Sequence, residues 1–276
     1  MHEKNDSFLT GFSSPIEGGG SHSLYGPPPW HFEGYVASVS LRVDDPRLEE
    51  LVPAPLRIAS EQNVRLTVLD FVCDCGHGET FTQLYPDLAK QSEGVVGIEV
   101  EHEGELGYWP PLLWCTSDSE MAIGREMYGW AQRLGSVSLT RKPHKGWQKG
   151  DVVTGLVSRG NRAVFEFNID LVGGPDSSEK SNKPKMMDTH IGNLPVFTQT
   201  ALADPMQPGV VERRLVVNNI EDVRIGDVWR GSARINVSAP EIDFLNSATV
   251  IEGRWHPLSW TKPYPLELVK STNEPA

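Results

Sequence analysis

The sequence predicts an α+β fold that is mainly β, a curved and mostly antiparallel sheet or barrel with a few short helices. Three observations predict it. Runs with strand composition recur along the chain, among them "YVASVSLRV" (35–43) and "NVRLTVLDFVCDC" (63–75). Arg159-Gly160-Asn161 reads as a hairpin turn inside another such run, 151–173. Against these, one long segment alone, 117–134, carries a sustained helical period.

In order along the chain, residues 1–26 are polar and Gly/Ser-rich and are expected to form a loose tail, with 27–276 a single domain. Pro27-Pro28-Pro29 stiffens the entry to the strand at 35–43, and a short helix at 45–51 stops before Pro53. Strands follow at 63–75 and 95–102. In 117–134, Ser117 and Glu120 have capping-box spacing, while Ile123, Met127, Trp130 and Leu134 recur every three or four residues. Gly135 is read as the stop. Strands resume at 151–173, and a polar, low-complexity loop covers 173–188. More strands follow from 210, a short helix is expected around "EIDFLNS", and "HPLSWTKPYPLELVK" closes the fold. The chain shows no internal repeat and no linker.

Composition excludes several functions. Of 276 residues 38% are hydrophobic, as in ordinary globular proteins, and the net charge of −12 repels a phosphate backbone, so no nucleic-acid partner is expected. No run is long and apolar enough for a membrane span, the N-terminal segment lacks a signal-peptide pattern, and three cysteines do not make a disulfide framework. A cytoplasmic location is the expectation.

Cys73, Cys75 and His77 in "CDCGHG" invite a metal reading, but a strand puts both thiols on one face beside apolar neighbours, so buried free cysteines are expected and no metal. Neither a G-x-S-x-G elbow nor a G-x-G-x-x-G or Walker loop occurs, so no cofactor is expected. Glu99, Glu101 and Glu103 alternate as a solvated strand face, and Glu93 stands apart from them. Arg125-Glu126 reads by itself as a surface ion pair, and Arg133 as a cation at a helix C-terminus.

The helix, with "GYWPPLLW" before it and "AIGRE" within it, resembles the acetoacetate decarboxylase superfamily. "PPPWHFEGY", "LEELVPAPL" and "INVSAPEIDFLNSATVIEG" extend the resemblance over about 27–262 in one order. In that family the helix reads A-x-G-R-E-L and leads to Lys-Lys-Leu-Gly, whose first lysine forms a Schiff base with a β-keto acid, its pKa lowered by desolvation and the neighbouring cation. The resemblance places that lysine on Gln132 and its neighbour on Arg133. A pocket glutamate of the family falls on Glu93, a second on Thr67, and a pocket arginine near Gly34. Gln cannot form an imine and Arg does not replace Lys as a nucleophile.

The resemblance therefore implies a pocket in which Gln132, Arg133 and Glu93 carry the chemistry. Thr67, Trp109, Trp114, Arg125, Glu126 and Trp130 would bind substrate. An amide and a guanidinium can stabilise an enolate oxygen, each donor contributing about 3 kcal/mol, and Glu93 can move a proton. The expected function is a cofactor-free tailoring enzyme, a lyase or isomerase/cyclase, acting on a carbonyl-rich, polyketide-type intermediate without an imine. One alternative is a non-catalytic small-molecule binder on the same scaffold. Another is a decarboxylase or aldolase-dehydratase with a relocated lysine such as Lys142, Lys145 or Lys262. The family resemblance also implies a homo-oligomer.

Overall fold

The computed structural model of the chain describes residues 25–59, 63–142, 146–174, 196–203, 211–218, 220–264 and 266–271. Its strands are β1 (Trp30–Arg42), β2 (Arg57–Ile58), β3 (Asn63–Cys73), β4 (Lys90–His102), β5 (Glu105–Cys115), β6 (Gln132–Leu134), β7 (Ser136–Leu139) and β8 (Val152–Arg159). The others are β9 (Arg162–Leu171), β10 (Val196–Ala203), β11 (Val211–Asn218), β12 (Glu221–Ile225), β13 (Trp229–Val237), β14 (Thr249–Lys262) and β15 (Leu266–Ser271). Three α-helices are present among the described residues: α1 (Glu79–Leu84), α2 (Pro86–Ala89) and α3 (Asp118–Tyr128). The strands form one sheet in the order β15-β11-β10-β5-β4-β3-β1-β14-β13-β9-β8-β7, with β12, β2 and β6 attached beside it. All pairings are antiparallel except β5 with β10 and β5 with β6.

Strand alternation gives the sheet two buried faces. On β3, Val64, Leu66 and Val68 join one apolar cluster, while Leu69, Phe71 and Cys73 join the other. Likewise on β5, Leu112 and Trp114 lie on the first face and Leu113 and Cys115 on the second. The sheet curls so that Val153, Val157, Phe165 and Phe167 from β8 and β9 close the first face. Helices cover the second, through Phe81 of α1 and Ile123 and Tyr128 of α3. The candidate site lies on that helix-covered face.

Sequence and structure differ in instructive places. β5 is absent from the sequence reading because Pro110 and Pro111 interrupt it. The fold seats them at a register shift, where Val96 pairs with Leu112 but Ile98 with Trp109, so no ladder donor is missed. The expected short helix at 45–51 is a 3₁₀ turn over Pro46–Leu51, capped by the Asp45 side chain. The expected turn joins β8 to β9 through Gly160, whose φ is 59°. Tyr25 and Gly26, assigned to the tail, are packed into the domain: Tyr25 is buried, and the Gly26 N–H donates to the Cys75 carbonyl. The rest of the tail and most of the polar loop at 173–188 lie outside the described residues.

The helix needs the largest correction. Ser117 Oγ accepts from the Glu120 N–H at 3.2 Å, as the capping pattern requires. The helix ends at Tyr128, however, because Gly129 takes the left-handed conformation with φ 66°. The apolar period running on to Leu134 is a coincidence, and Leu134 is exposed. Gln132 and Arg133 therefore sit on β6, not at a helix end.

Candidate active site

A cavity of about 50 Å³ lies between the helix-covered face of the sheet and α3. Its apolar walls are Trp30 and Phe32 of β1, Phe71 of β3, Ile123 of α3, Trp130 and Trp260. Phe32 and Trp260, paired across β1 and β14, stack with centroids 4.7 Å apart, and Phe71 meets both edge-on. Its polar lining comprises Tyr25, Gln91, Glu93, Glu120, Gln132 and Lys262.

Lys262 follows from the period of two along β14. Leu258 and Trp260 point to the helix-covered face, and two residues on Lys262 points there too. Its Nζ lies 3.9 Å from the Tyr128 ring centroid, 4.6 Å from that of Trp130 and 5.9 Å from that of Trp30. Tyr128 is held there by its hydroxyl, which donates to the Pro263 carbonyl at 3.1 Å. Burial among these rings lowers the ammonium pKa from 10.5 to about 8, although the charges of Glu93 and Glu120 pull it upward.

Glu120 departs from the capping role its spacing suggests. Its backbone N–H caps, but its buried side chain turns into the cavity and meets Glu93. Burial, then the Glu93 charge and the hydrogen bond between the two carboxyls, hold the Glu120 pKa well above the usual carboxylate range. These surroundings favour the protonated form of Glu120. Glu93 also accepts from Gln132 Nε2 at 3.0 Å. Gln132 lies against α3 where Gly124 leaves space, and a Cβ on Gly124 would come within 1.8 Å of Gln132 Oε1. That oxygen and the Trp130 indole N–H are buried without hydrogen-bond partners among the described residues.

Of the site residues read from sequence, the fold brings Glu93, Gln132 and Trp130 to the cavity. The others lie elsewhere. On a strand, neighbours point to opposite faces, so Gln132 pairs with Leu113 on the helix-covered face and Arg133 with Trp114 on the other. Arg133 runs over the Trp114 ring at 5.9 Å and meets Glu241 at 3.4 Å. Trp109 donates to the Leu51 carbonyl in the other core, Thr67 is buried near Tyr108, and Arg125 and Glu126 lie on the exposed side of α3. Lys142 pairs with Asp151 away from the cavity, and Lys145 is not among the described residues. Sequence reasoning did not assign Glu120, Trp30 or Trp260. A period-2 reading of "PLSWTK" offered a signal for Lys262, but only the neighbours of β14 show what that face meets. Cys73, Cys75 and Cys115 are buried free thiols, and burial raises the pKa values of Cys73 and Cys115, so these two stay protonated.

The family model described as acetoacetate decarboxylase (ADC) matches residues 13–261. The chain belongs to the acetoacetate decarboxylase family. The match stops one residue before Lys262. Acetoacetate decarboxylase from Clostridium botulinum (strain Eklund 17B / Type B) is 21% identical over 77% of this chain and 75% of its own length. An acetoacetate decarboxylase-like enzyme from Sphingomonas wittichii RW1 shares the fold with a TM-score of 0.81 at 22% identity, over 95% of this chain and all of that one, 100%. The enduracididine biosynthesis enzyme MppR, complexed with the condensation product of pyruvate and imidazole 4-carboxaldehyde, has a TM-score of 0.80 at 21% identity over 95% of this chain and 97% of its own. Gln132 of β6 and Lys262 of β14 line the same cavity.

Proposed function

We propose that this family member is an imine-forming lyase of small carbonyl compounds, with Lys262 as the nucleophile in place of the family lysine. The observation that carries the proposal is a buried amine, its pKa lowered to about 8, in a cavity that also holds two carboxyls. At neutral to mildly basic pH a useful fraction of Lys262 is the free amine an attack on a carbonyl requires. Lysine relocation fits the chemistry because an imine needs the nitrogen and the cavity, whichever strand supplies them. MppR, a relative of the same fold bound to pyruvate and to a pyruvate condensation product, supports carbonyl substrates.

In the proposed mechanism the Glu93 carboxylate takes one proton from the Lys262 ammonium, and the free Nζ adds to the substrate carbonyl carbon. A second proton moves from that nitrogen to the alkoxide and gives the neutral carbinolamine. Glu120, whose burial favours its protonated form, donates to the hydroxyl, which leaves as water as the nitrogen lone pair forms the iminium. In a β-hydroxy carbonyl substrate the iminium then accepts the electron pair of the breaking carbon–carbon bond and becomes an enamine, while the hydroxyl proton passes to a carboxylate and the other fragment departs as an aldehyde. Protonation of the enamine at carbon restores the iminium, and addition of water to it releases the carbonyl product and the free lysine. Gln132 anchors Glu93 through its 3.0 Å hydrogen bond, and the aromatic walls exclude bulk water.

Borohydride reduction with a panel of ketones, aldehydes and oxo acids, read by intact mass and peptide mapping, tests the proposal. The expected result is one adduct on Lys262 that Lys262→Met abolishes. An adduct confined to other lysines, or none with any carbonyl, overturns it. In the latter case turnover surviving Lys262→Met would favour the imine-free route, in which the unpartnered Trp130 N–H polarises the carbonyl. Binding without turnover would favour a binding protein.

A further inference from the structure

We infer that the site selects neutral carbonyl compounds, small ketones or aldehydes with an apolar flank, and discriminates against keto acids. The inference deepens the imine reading and rests on it for the chemistry, but its charge argument holds for binding alone. Lys262 is the only cation among the described residues that line the cavity. Glu93 and Glu120 face it, so one cation is already shared between two carboxyls. Condensation of the Lys262 ammonium with a carbonyl, with loss of one water, leaves that count unchanged, because an iminium again carries one positive charge. A carboxylate on the substrate would add a further anion, in surroundings where two carboxyls already compete for one cation.

A buried anion requires a cation or several donors, and beyond Lys262 the described walls offer no second cation. Trp30, Phe32, Phe71 and Trp260 are aromatic hydrocarbon surfaces whose π faces repel an anion. The unpartnered polar atoms suit neutral oxygen functions. The Trp130 N–H can donate to a carbonyl, and the Gln132 oxygen can accept from a hydroxyl or an enol.

A matched pair of probes separates substrate class from imine formation. 2,4-Pentanedione and acetoacetate have nearly the same shape, and a methyl ketone in the first replaces the carboxylate of the second. Their binding to the native protein is read from the fluorescence of the cavity tryptophans, and their trapping on Lys262 by borohydride is read by mass. The dione is expected to bind at least about tenfold more tightly than acetoacetate at pH 7, and to be trapped faster. In Glu93→Gln the preference should shrink by about tenfold, because the anion that repels acetoacetate is gone. Equal or tighter binding of acetoacetate by the native protein overturns the inference, whether or not an imine forms. Preferential binding of the dione with no trapping of either probe would leave the substrate class standing and sink the imine. Binding of neither probe overturns the inference, since a small neutral β-diketone is the simplest member of the proposed class.

Discussion

Replacing Lys262 by methionine removes a titrating group from the core while keeping the length and apolar stem of the side chain. The consequence follows from linkage. In the unfolded chain this amine gains its proton near the ordinary lysine value of 10.5, and in the folded protein near 8. Between those values the unfolded state binds more protons, so native stability rises with pH. Below about 8 both states are protonated and that contribution is absent. Lowering the pKa from 10.5 to about 8 corresponds to about 3 kcal/mol at the high-pH limit. Lys262→Met lacks this dependence, so the stability of the native protein relative to the variant should rise by about 2–3 kcal/mol from pH 7 to pH 10. Most of the rise should fall above pH 8. Urea unfolding at pH 7, 8, 9 and 10 measures it, and subtracting the variant cancels the titration of every other group to first order. A difference flat within about 0.5 kcal/mol would refute a depressed folded-state pKa and, with it, the reason for naming Lys262 the nucleophile.

Other outcomes follow from the same geometry. Glu120 keeps its proton well above the ordinary value of 4.5, so native stability is lost as pH rises through the window above 4.5. Glu120→Gln should therefore gain stability relative to the native protein as pH rises from 4 to 7, as read by urea unfolding, and should slow carbonyl trapping by about 10²-fold. Gly124→Ala gains about 1 kcal/mol of helix propensity but drives a methyl to within 1.8 Å of Gln132 Oε1, displacing Gln132 from Glu93. Its loss of stability should largely disappear in the Gly124→Ala/Gln132→Ala double variant, a coupling of about 1–2 kcal/mol, and additive effects would show that the two residues do not meet. Arg133→Ala should leave trapping within about twofold and stability within about 1 kcal/mol, because its ion pair with Glu241 is a partly exposed one. A large loss of trapping there would place Arg133 in the site after all.

Local pattern made much of the fold legible. β3, β8 and β9 and the start of α3 are specified by alternation, a hairpin turn and a cap, all set by residues adjacent in sequence. β5 was hidden because two prolines contradict a strand until a bulge on β5 itself, where Pro110 and Pro111 face the single Gly97 of β4, excuses them. The end of α3 was misplaced because Gly129 and Gly135 are equivalent stops in sequence, and only the packing of Trp130 into the cavity selects the first.

The candidate site divides along the same line. The amino-acid order alone excludes a lysine at 132 or 133, keeps the Gly-Arg-Glu run, places a carboxylate at Glu93 and carries the family resemblance. That Arg133 faces away depends on the packed fold, since a strand sends neighbours to opposite faces where a helix end would have kept both near the cavity. The packed fold alone brought Lys262 to Glu93 and Glu120, from positions 169 and 142 residues apart in the chain, by laying β14 beside β1 and α3 over the same face. A nucleophile's reactivity depends on its desolvation and on the charges around it. Both are properties of packing, which no local stretch of sequence contains.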